Sequence, residues 1–298
     1  MLRMNFEAEL KKKIEETNLI LKEYIPEEKG LQKTIFEAFN YSLSVGGKRI
    51  RPILMQETFK IYSNDMEVIK PFMAAMEMIH TSSLVHDDLP CMDNDEYRRG
   101  KESVWKRFGE DIGTLTGDVL LIHAFEAAAK SLEKGADSKR FVRAMKTLAF
   151  NSGMYGMMGG QTVDLELTGK SINSEELEFI YKLKTAALIV ASMEIGAIMG
   201  GASDEDIKTI NCIAGNIGMA FQIRDDILDV ISTTEELGKP ILSDEKNNKT
   251  TYVTLFGEEK ADIKVENLSN NALNSLKTLS GDYTFLENFI RMLADRKN

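Results

Sequence analysis

The sequence predicts an all-α protein, a single large helical bundle over residues 1–298, and three observations carry that expectation. Only five prolines occur, Pro26, Pro52, Pro71, Pro90 and Pro240, and none lies between 90 and 240, so long helices can run there unbroken. Alanine, methionine, leucine, glutamate and lysine, which favour helix, dominate the chain. No segment shows clear alternation of apolar and polar residues bounded by Asn-Gly or Asp-Gly, the signature of a hairpin.

The elements follow in order. The opening stretch MLRMNFEAELKKKIEETN mixes charges with apolar residues and lacks the unbroken apolar run of a signal peptide. Phe72, Ala75, Met76, Ile79 and Ser83 recur at helical spacing, as do Leu177, Ile180, Tyr181, Lys184 and Leu188, so both helices have an inward face. The longest apolar stretch, Ala186 to Ala202, carries Glu194 and falls short of the roughly 20 residues that span a bilayer. It reads as a buried helix. Loop signals stand at Tyr24 to Gly30, Asn64 and Asp65, Lys134 to Ser138, Gly169 to Ser174, Gly201 to Asp204, Thr233 to Asn248 and Gly257 to Glu259. None is long enough for a domain linker, and no internal repeat is visible.

Composition narrows the function. Forty-seven acidic against 37 basic residues give a net charge of −10, which argues against broad attraction to nucleic acid. Cys91 and Cys212 are too few for a disulfide framework or a zinc quartet, so a reducing compartment, the cytoplasm, is expected.

Two acidic clusters each follow an apolar helical run. HDDLPCMDND holds Asp87, Asp88 and Asp93, and FQIRDDILDV holds Asp225, Asp226 and Asp229. Asp225 and Asp229 share a helix face, where their repulsion demands a cation or a basic partner. Asp87 and Asp88 end a helix, and Pro90 bends the chain before Asp93 returns another carboxylate. Oxygen ligands with no local histidine partner favour magnesium over zinc, and such magnesium commonly bridges to substrate phosphates. A lone acidic pair would read as a solvated face; two triplets set among Leu, Val, Ile and Phe read as metal sites. The basic residues are equally localised. GGKRIRP at 46–52 sets Lys48, Arg49 and Arg51 behind two glycines that let backbone N–H groups approach an anion, and no Walker A loop occurs. Arg98 and Arg99 follow the first acidic cluster, and arginine grips diphosphate oxygens bidentately as lysine cannot.

GGKRIRP, MIHTSSLVHDDLPCMDNDEYRRG, GGQTVDLELTGK, KLKTAALI, AFQIRDDILDV and LGKPILSDEKNNKTTY stand in the order and spacing of the trans-type short-chain polyprenyl diphosphate synthases. From about Leu31 to Ala261 the chain resembles the bacterial farnesyl and geranylgeranyl diphosphate synthases of that family. The resemblance implies an all-α barrel of long helices, usually a homodimer. It assigns Asp87, Asp88, Asp93, Asp225, Asp226 and Asp229 to a magnesium-bound allylic diphosphate, without every carboxylate touching metal, and adds Arg98, Lys184 and Lys239 to that site. Lys48, Arg51, His80 and Arg99 would hold isopentenyl diphosphate, with Arg49 and Lys249 as weaker candidates, and Thr185 and Gln222 would face the reacting carbons. Breaking the allylic C–O bond charges the diphosphate, which magnesium and fixed cations stabilise, and leaves an allylic cation that neutral dipoles can stabilise without trapping it. The departed diphosphate can take the final proton, so no Ser-His-Asp or Cys-His set is needed.

The smaller features have simpler readings. Glu77 and His80 match one half of a di-iron Glu-x-x-His pair, and the second half is absent. His86 divides evenly between a hydrogen-bond partner of the acids and a structural histidine; His123 reads as structural. Gln161 and Asp164 divide evenly between lining the cavity and orienting metal ligands, Cys91 carries no mark of a nucleophile, and the methionines read as core filler. Three departures from the family pattern stand out: Lys101 to Trp105 after Arg98-Arg99-Gly100, Ala186 for the usual glycine after Lys184-Thr185, and Ile241-Leu242 in a normally glycine-rich stretch. Two rivals remain: a terpene cyclase, which would leave GGKRIRP and Arg99 without a task, and a non-catalytic regulatory subunit, against which the intact acidic triplets argue. Product length turns on the position five residues before Asp87, where farnesyl synthases of the bacterial type usually carry an aromatic floor. Here it is Ser82, followed by Ser83, which favours a twenty-carbon over a fifteen-carbon product unless Met76 and Met78 close the tunnel deeper down.

Overall fold

A computed structural model describes residues 2–231 and 249–295, and the regular structure in these is helical apart from one short hairpin. The helices are α1 (Leu2–Lys22), α2 (Lys33–Ser44), α3 (Ile50–Lys60), α4 (Lys70–Asp87), α5 (Val104–Phe108), α6 (Glu110–Glu133), α7 (Ser138–Ser152), α8 (Met157–Leu167), α9 (Ser174–Ile180), α10 (Ala187–Gly200), α11 (Asp204–Ile231), α12 (Tyr252–Phe256), α13 (Glu258–Leu276) and α14 (Thr284–Asp295). A 3₁₀ turn, Met66–Val68, precedes α4, and a π-helical segment, Tyr181–Ala186, joins α9 to α10. Helix breaks fall at each expected loop signal within the described residues and also at 45–49, 88–103, 153–156 and 277–283, which those signals do not include; Thr233 to Asn248, with Ile241 and Leu242, lies outside the described residues.

Local chemistry sets several of the ends. Pro71 sits in the first turn of α4, where a missing N–H costs nothing. Asp137 caps α7 by accepting from Lys139 N and Arg140 N, and Asn173 with Glu176 forms a capping box on α9. Gly201 ends α10 in the left-handed region at φ 91°.

One short hairpin accompanies the helices. Tyr97–Arg98 (β1) pairs antiparallel with Lys101–Glu102 (β2), and Arg99 and Gly100 turn between them at φ 55° and 75°. Two consecutive positive φ values define the tight turn that suits strand twist, but arginine stands where asparagine or glycine usually announces it.

The contacts of the chain resolve into two compact units. One, here the N-unit, comprises Glu7–Ile53 and Met66–Ala136; the other, the C-unit, comprises Met1–Phe6, Leu54–Asp65 and Asp137–Asn298. In the N-unit α4 packs most extensively on α6, and Phe39, Phe72, Met73, Met76, Ile79 and Leu120 are fully buried. Each such side chain contributes roughly 1.5–3 kcal/mol by leaving water. In the C-unit α11 packs on α10 and α13, and α10 is apolar on every side and buried, as the Ala186 to Ala202 run implied. Gly196 lets α10 lie against the backbone of α3 at Met55, where a Cβ would collide. Among the described residues two continuous helices, Glu110–Glu133 and Ser174–Gly200, are long and apolar enough to cross a membrane; in the second, 72% of the apolar window is buried, as in a core helix.

Candidate active site

In the N-unit, α4 delivers the first acidic cluster. Beyond Asp87 the chain turns at Pro90 and folds back, with Asp93 N donating to Asp87 O (2.8 Å) and Asp95 N to Asp88 O (3.1 Å). The carboxylates therefore collect at the negative end of a helix, where they need cations. Arg98 answers that need: its Nε donates to Asp88 Oδ1 (2.8 Å) and its Nη2 to both Asp88 and Asp95. Asp88 is only 3% exposed. Burial pushes its carboxyl up to about 6, against the pull of Arg98 and with help from Asp95 and Asp87. Asp87 and Asp93 are half-buried. Trp105, in the segment that departs from the family pattern, donates from Nε1 to Asp95 O (2.9 Å) and so ties that segment to the acidic loop.

The basic loop of the same unit turns through positive φ at Gly46 (94°), Gly47 (142°) and Arg49 (48°). Arg99 donates to Gly46 O, and a Cβ on Gly47 would strike its guanidinium, so the glycine pair seats Arg99. Lys48 is exposed and Arg51 half-buried. Arg51 Nη1 donates to His80 Nε2 (3.3 Å), which requires a neutral imidazole with its proton on Nδ1. Burial first, then the charges of Arg51, Arg99, Arg49 and Arg98, hold His80 well below the usual histidine range. Arg49, expected as a weaker diphosphate ligand, instead turns inward: it is 4% exposed and its guanidinium is committed to Glu77, Asn18 and the Leu43 carbonyl.

In the C-unit, α11 carries the second cluster, with Asp225 half-buried and Asp226 and Asp229 buried. Asp226 Oδ1 accepts from Gln222 Nε2 (3.0 Å), and Oδ2 accepts from the Tyr181 hydroxyl and from Tyr252 N (3.0 Å). With its amide nitrogen so engaged, Gln222 offers Oε1 to the Thr185 hydroxyl (2.6 Å). The two expected neutral dipoles are thus hydrogen-bonded to each other. Lys184 pairs with Asp164 (2.6 Å). Tyr181, Lys184 and Thr185 all lie on the π-helical turn, a distortion frequent at functional sites. Gly160 of α8 and Gly218 of α11 leave room for that turn: a Cβ on the first would strike the Lys184 backbone, and one on the second would strike Ala186, the residue that replaces the family's glycine.

Other expected residues divide. Lys239 lies outside the described residues, while Lys249 is described and half-buried. Ser82 is 2% exposed and donates to Gly117 O (2.8 Å); Ser83 bonds its own helix at His80 O, and Met76 and Met78 are fully buried. His86 Nε2 donates to Thr114 O (3.1 Å), lies against Gly117 and stands 3.7 Å from the Asp118 carboxylate, and His123 is structural, bridging Glu126 and Tyr24 O. Gln161 is half-buried and Cys91 exposed. Tyr181 and Asp95 were not singled out as site residues from the sequence, and Glu77 was read there only as half of a di-iron pair. For Tyr181 a signal existed, since an inward tyrosine must find a partner for its hydroxyl.

Among the described residues no three His, Cys, Asp or Glu side chains gather closely enough to form a metal cage. The donors are carboxylate oxygens, with Asp87, Asp93 and Asp225 half-buried, a set that suits a hard cation whose remaining ligands are phosphate oxygens or water.

Acidic clusters at the end of α4 and along α11, with a basic loop ahead of α3, form an arrangement on a helical scaffold that suits charged diphosphates. The chain belongs to the polyprenyl synthetase family, whose model matches residues 32–282. It is 38% identical over 296 residues to a farnesyl diphosphate synthase of Geobacillus stearothermophilus, covering 99% of each chain. It is 46% identical over 243 residues to a chloroplastic geranylgeranyl pyrophosphate synthase of Catharanthus roseus, covering 81% of this chain and 68% of the other. Among solved structures, a Helicobacter pylori geranyltransferase complexed with magnesium and isoprenyl diphosphate is similar with a TM-score of 0.84 and 31% identity, over 96% of this chain and 95% of that one.

Proposed function

We infer that the protein is a short-chain polyprenyl diphosphate synthase that joins isopentenyl diphosphate to allylic diphosphates (dimethylallyl, geranyl or farnesyl) and makes farnesyl diphosphate, geranylgeranyl diphosphate or both. The observation that carries this reading is the pair of distinct clusters within the N-unit. One is an acidic loop suited to a metal-bound diphosphate; the other is a basic loop with its own histidine, suited to a diphosphate held by cations alone. A terpene cyclase would need only the first.

In this reading Asp87, Asp93, Asp225 and Asp229 hold magnesium with the allylic diphosphate, and Asp88 and Asp226, both engaged by protein donors, orient their neighbours. The Helicobacter pylori structure, described with magnesium and isoprenyl diphosphate, supports the choice of metal. Magnesium, when bound, would offset charge on the leaving diphosphate. Arg98, Lys184 and Lys239 add positive charge there; Lys48, Arg51, His80 and Arg99, with Lys249, bind isopentenyl diphosphate. The Thr185 and Gln222 oxygens face the allylic cation and supply no reactive anion. The single family match, which runs through segments of each unit, supports one synthase domain over residues 1–298. Exposed Leu115, Ile122 and Leu132 on α6 support a homodimer, and two unpaired cysteines support a cytoplasmic location. The small Ser82 favours a twenty-carbon product.

The test is a product assay on the purified chain with labelled isopentenyl diphosphate, magnesium and each allylic donor. Chain elongation is expected, with turnover lowered by orders of magnitude in Asp87→Ala and Asp225→Ala. No product from the chain alone would overturn the reading in favour of a regulatory subunit.

A further inference from the structure

We propose that Glu77 and Arg49 are positioning residues for isopentenyl diphosphate: their buried ion pair fixes the loop that presents Lys48 and Arg51. The proposal rests on the function inferred above and concerns two residues that do not themselves meet substrate. Arg49 lies between the two basic residues assigned to the diphosphate, yet its own side chain points the other way. Its backbone occupies the left-handed region at φ 48°, a conformation that an arginine holds only where its surroundings impose it. The surroundings are three separate segments: Nη1 donates to Glu77 Oε1 on α4 (2.6 Å), Nε to Asn18 on α1 (2.9 Å), and Nη2 to the carbonyl of Leu43 near the end of α2 (2.7 Å).

Glu77 and His80 stand one turn apart on α4, on the same face. Glu77 takes Arg49 and His80 meets Arg51, so two successive rungs set the register of the basic loop against the helix. This is the use of the Glu-x-x-His spacing that a di-iron site would have claimed. Stability alone is a poor reason for such a pair. Both side chains are almost wholly buried, at 2% and 1% exposure, and Glu77 Oε2 makes no hydrogen bond among the described residues. An apolar pair of similar volume would serve a core equally well or better. A fork of three directional bonds, by contrast, fixes where the next residues point.

The test measures steady-state kinetics and melting of Glu77→Gln and of the double variant Arg49→Met with Glu77→Leu, each checked for helical content. In both, KM for isopentenyl diphosphate should rise about 10- to 100-fold, while kcat and KM for the allylic donor stay within about twofold. The double variant should recover the stability that Glu77→Gln loses and still keep the raised KM, which a merely structural role would not produce. Recovery of KM together with stability, parallel increases for both substrates, or failure of both variants to fold would overturn the proposal. Lys48→Ala separates the two levels: if it leaves KM for isopentenyl diphosphate unchanged, the underlying site assignment fails, and if wild type makes no product, the functional reading fails.

Discussion

Replacing Tyr181 by phenylalanine removes one hydroxyl at the junction of the π-helical turn and the second acidic cluster, which donates to Asp226 and accepts from Tyr252 N (3.1 Å). Phenylalanine fills the same buried space and removes only the hydroxyl that donates to Asp226. Asp226 keeps Gln222 Nε2 and Tyr252 N as donors, each at 3.0 Å, so the carboxylate is weakened and not abandoned. A hydrogen bond to a charged acceptor contributes about 1.5–3 kcal/mol, and with two donors remaining the low end, about 1.5–2, is expected. At about 2–4 °C per kcal/mol for a large domain, melting should fall by about 3–8 °C. Turnover should fall with it, because Gln222 is held by Asp226 and in turn holds the Thr185 hydroxyl. Calorimetry alongside the product assay measures both. A Tyr181→Phe protein that melts with wild type, or that loses stability with unchanged turnover, would refute the linkage from Tyr181 through Asp226 to Gln222.

The remaining expectations concern pH and substrate choice. Asp88, raised to about 6, contributes stability below its unfolded value near 3.8 that is lost as pH rises through 6; in the proposed site its carboxylate form stands beside the metal ligand Asp87, so kcat/KM for the allylic donor should fall below pH about 6. His80 has the opposite sign: its folded value is depressed, so acidification below about 6.5 should destabilise the free protein, and urea titrations should show His80→Gln escaping that loss. Arg51→Ala should mainly weaken isopentenyl diphosphate and Lys184→Ala mainly the allylic side, each by roughly 2–5 kcal/mol; equal losses on both substrates would contradict the division. Ser82→Tyr should shift products towards fifteen carbons and, because Ser82 is packed on Gly117 of α6, should also cost about 1–3 kcal/mol of stability.

What the sequence reveals here divides along a physical line. Helices, their breaks and the charged motifs are local: they depend on spacing, on prolines and glycines, and on adjacent residues, so they can be read directly. The fate of an individual charge is not local. Lys48, Arg49 and Arg51 look equivalent in GGKRIRP, and only the positive φ at Arg49 sends its side chain to Glu77, 28 residues away. The turn at Arg99 and Gly100 was hidden for a related reason, since its strain is relieved by contacts between Arg99 and the distant Gly46–Gly47 pair. Likewise nothing in KLKTAALI announces a π turn, which depends on the space left by Gly160 and Gly218.

The two aspartate pairs share a physical logic that their sequence similarity alone does not explain. In each pair the first residue, Asp87 or Asp225, is half-buried, and the second, Asp88 or Asp226, is 3% or 2% exposed. Adjacent residues on a helix diverge by about 100°, so a doubled aspartate must point one carboxylate inward when it points the other outward. A buried carboxylate is tolerated only when protein donors satisfy it, and the two units meet that need differently: Arg98 with its full charge at Asp88, and three neutral donors at Asp226. The inner residue thereby anchors the end of α4 to the hairpin, or α11 to the π turn, and the outer carboxylate is presented from a rigid base. Duplicating the acid is therefore not a doubling of metal ligands. On the proposed reading it couples one ligand to the packing that holds it in place, so removing either member of a pair should injure activity, the outer through the proposed metal and the inner through the scaffold beneath it.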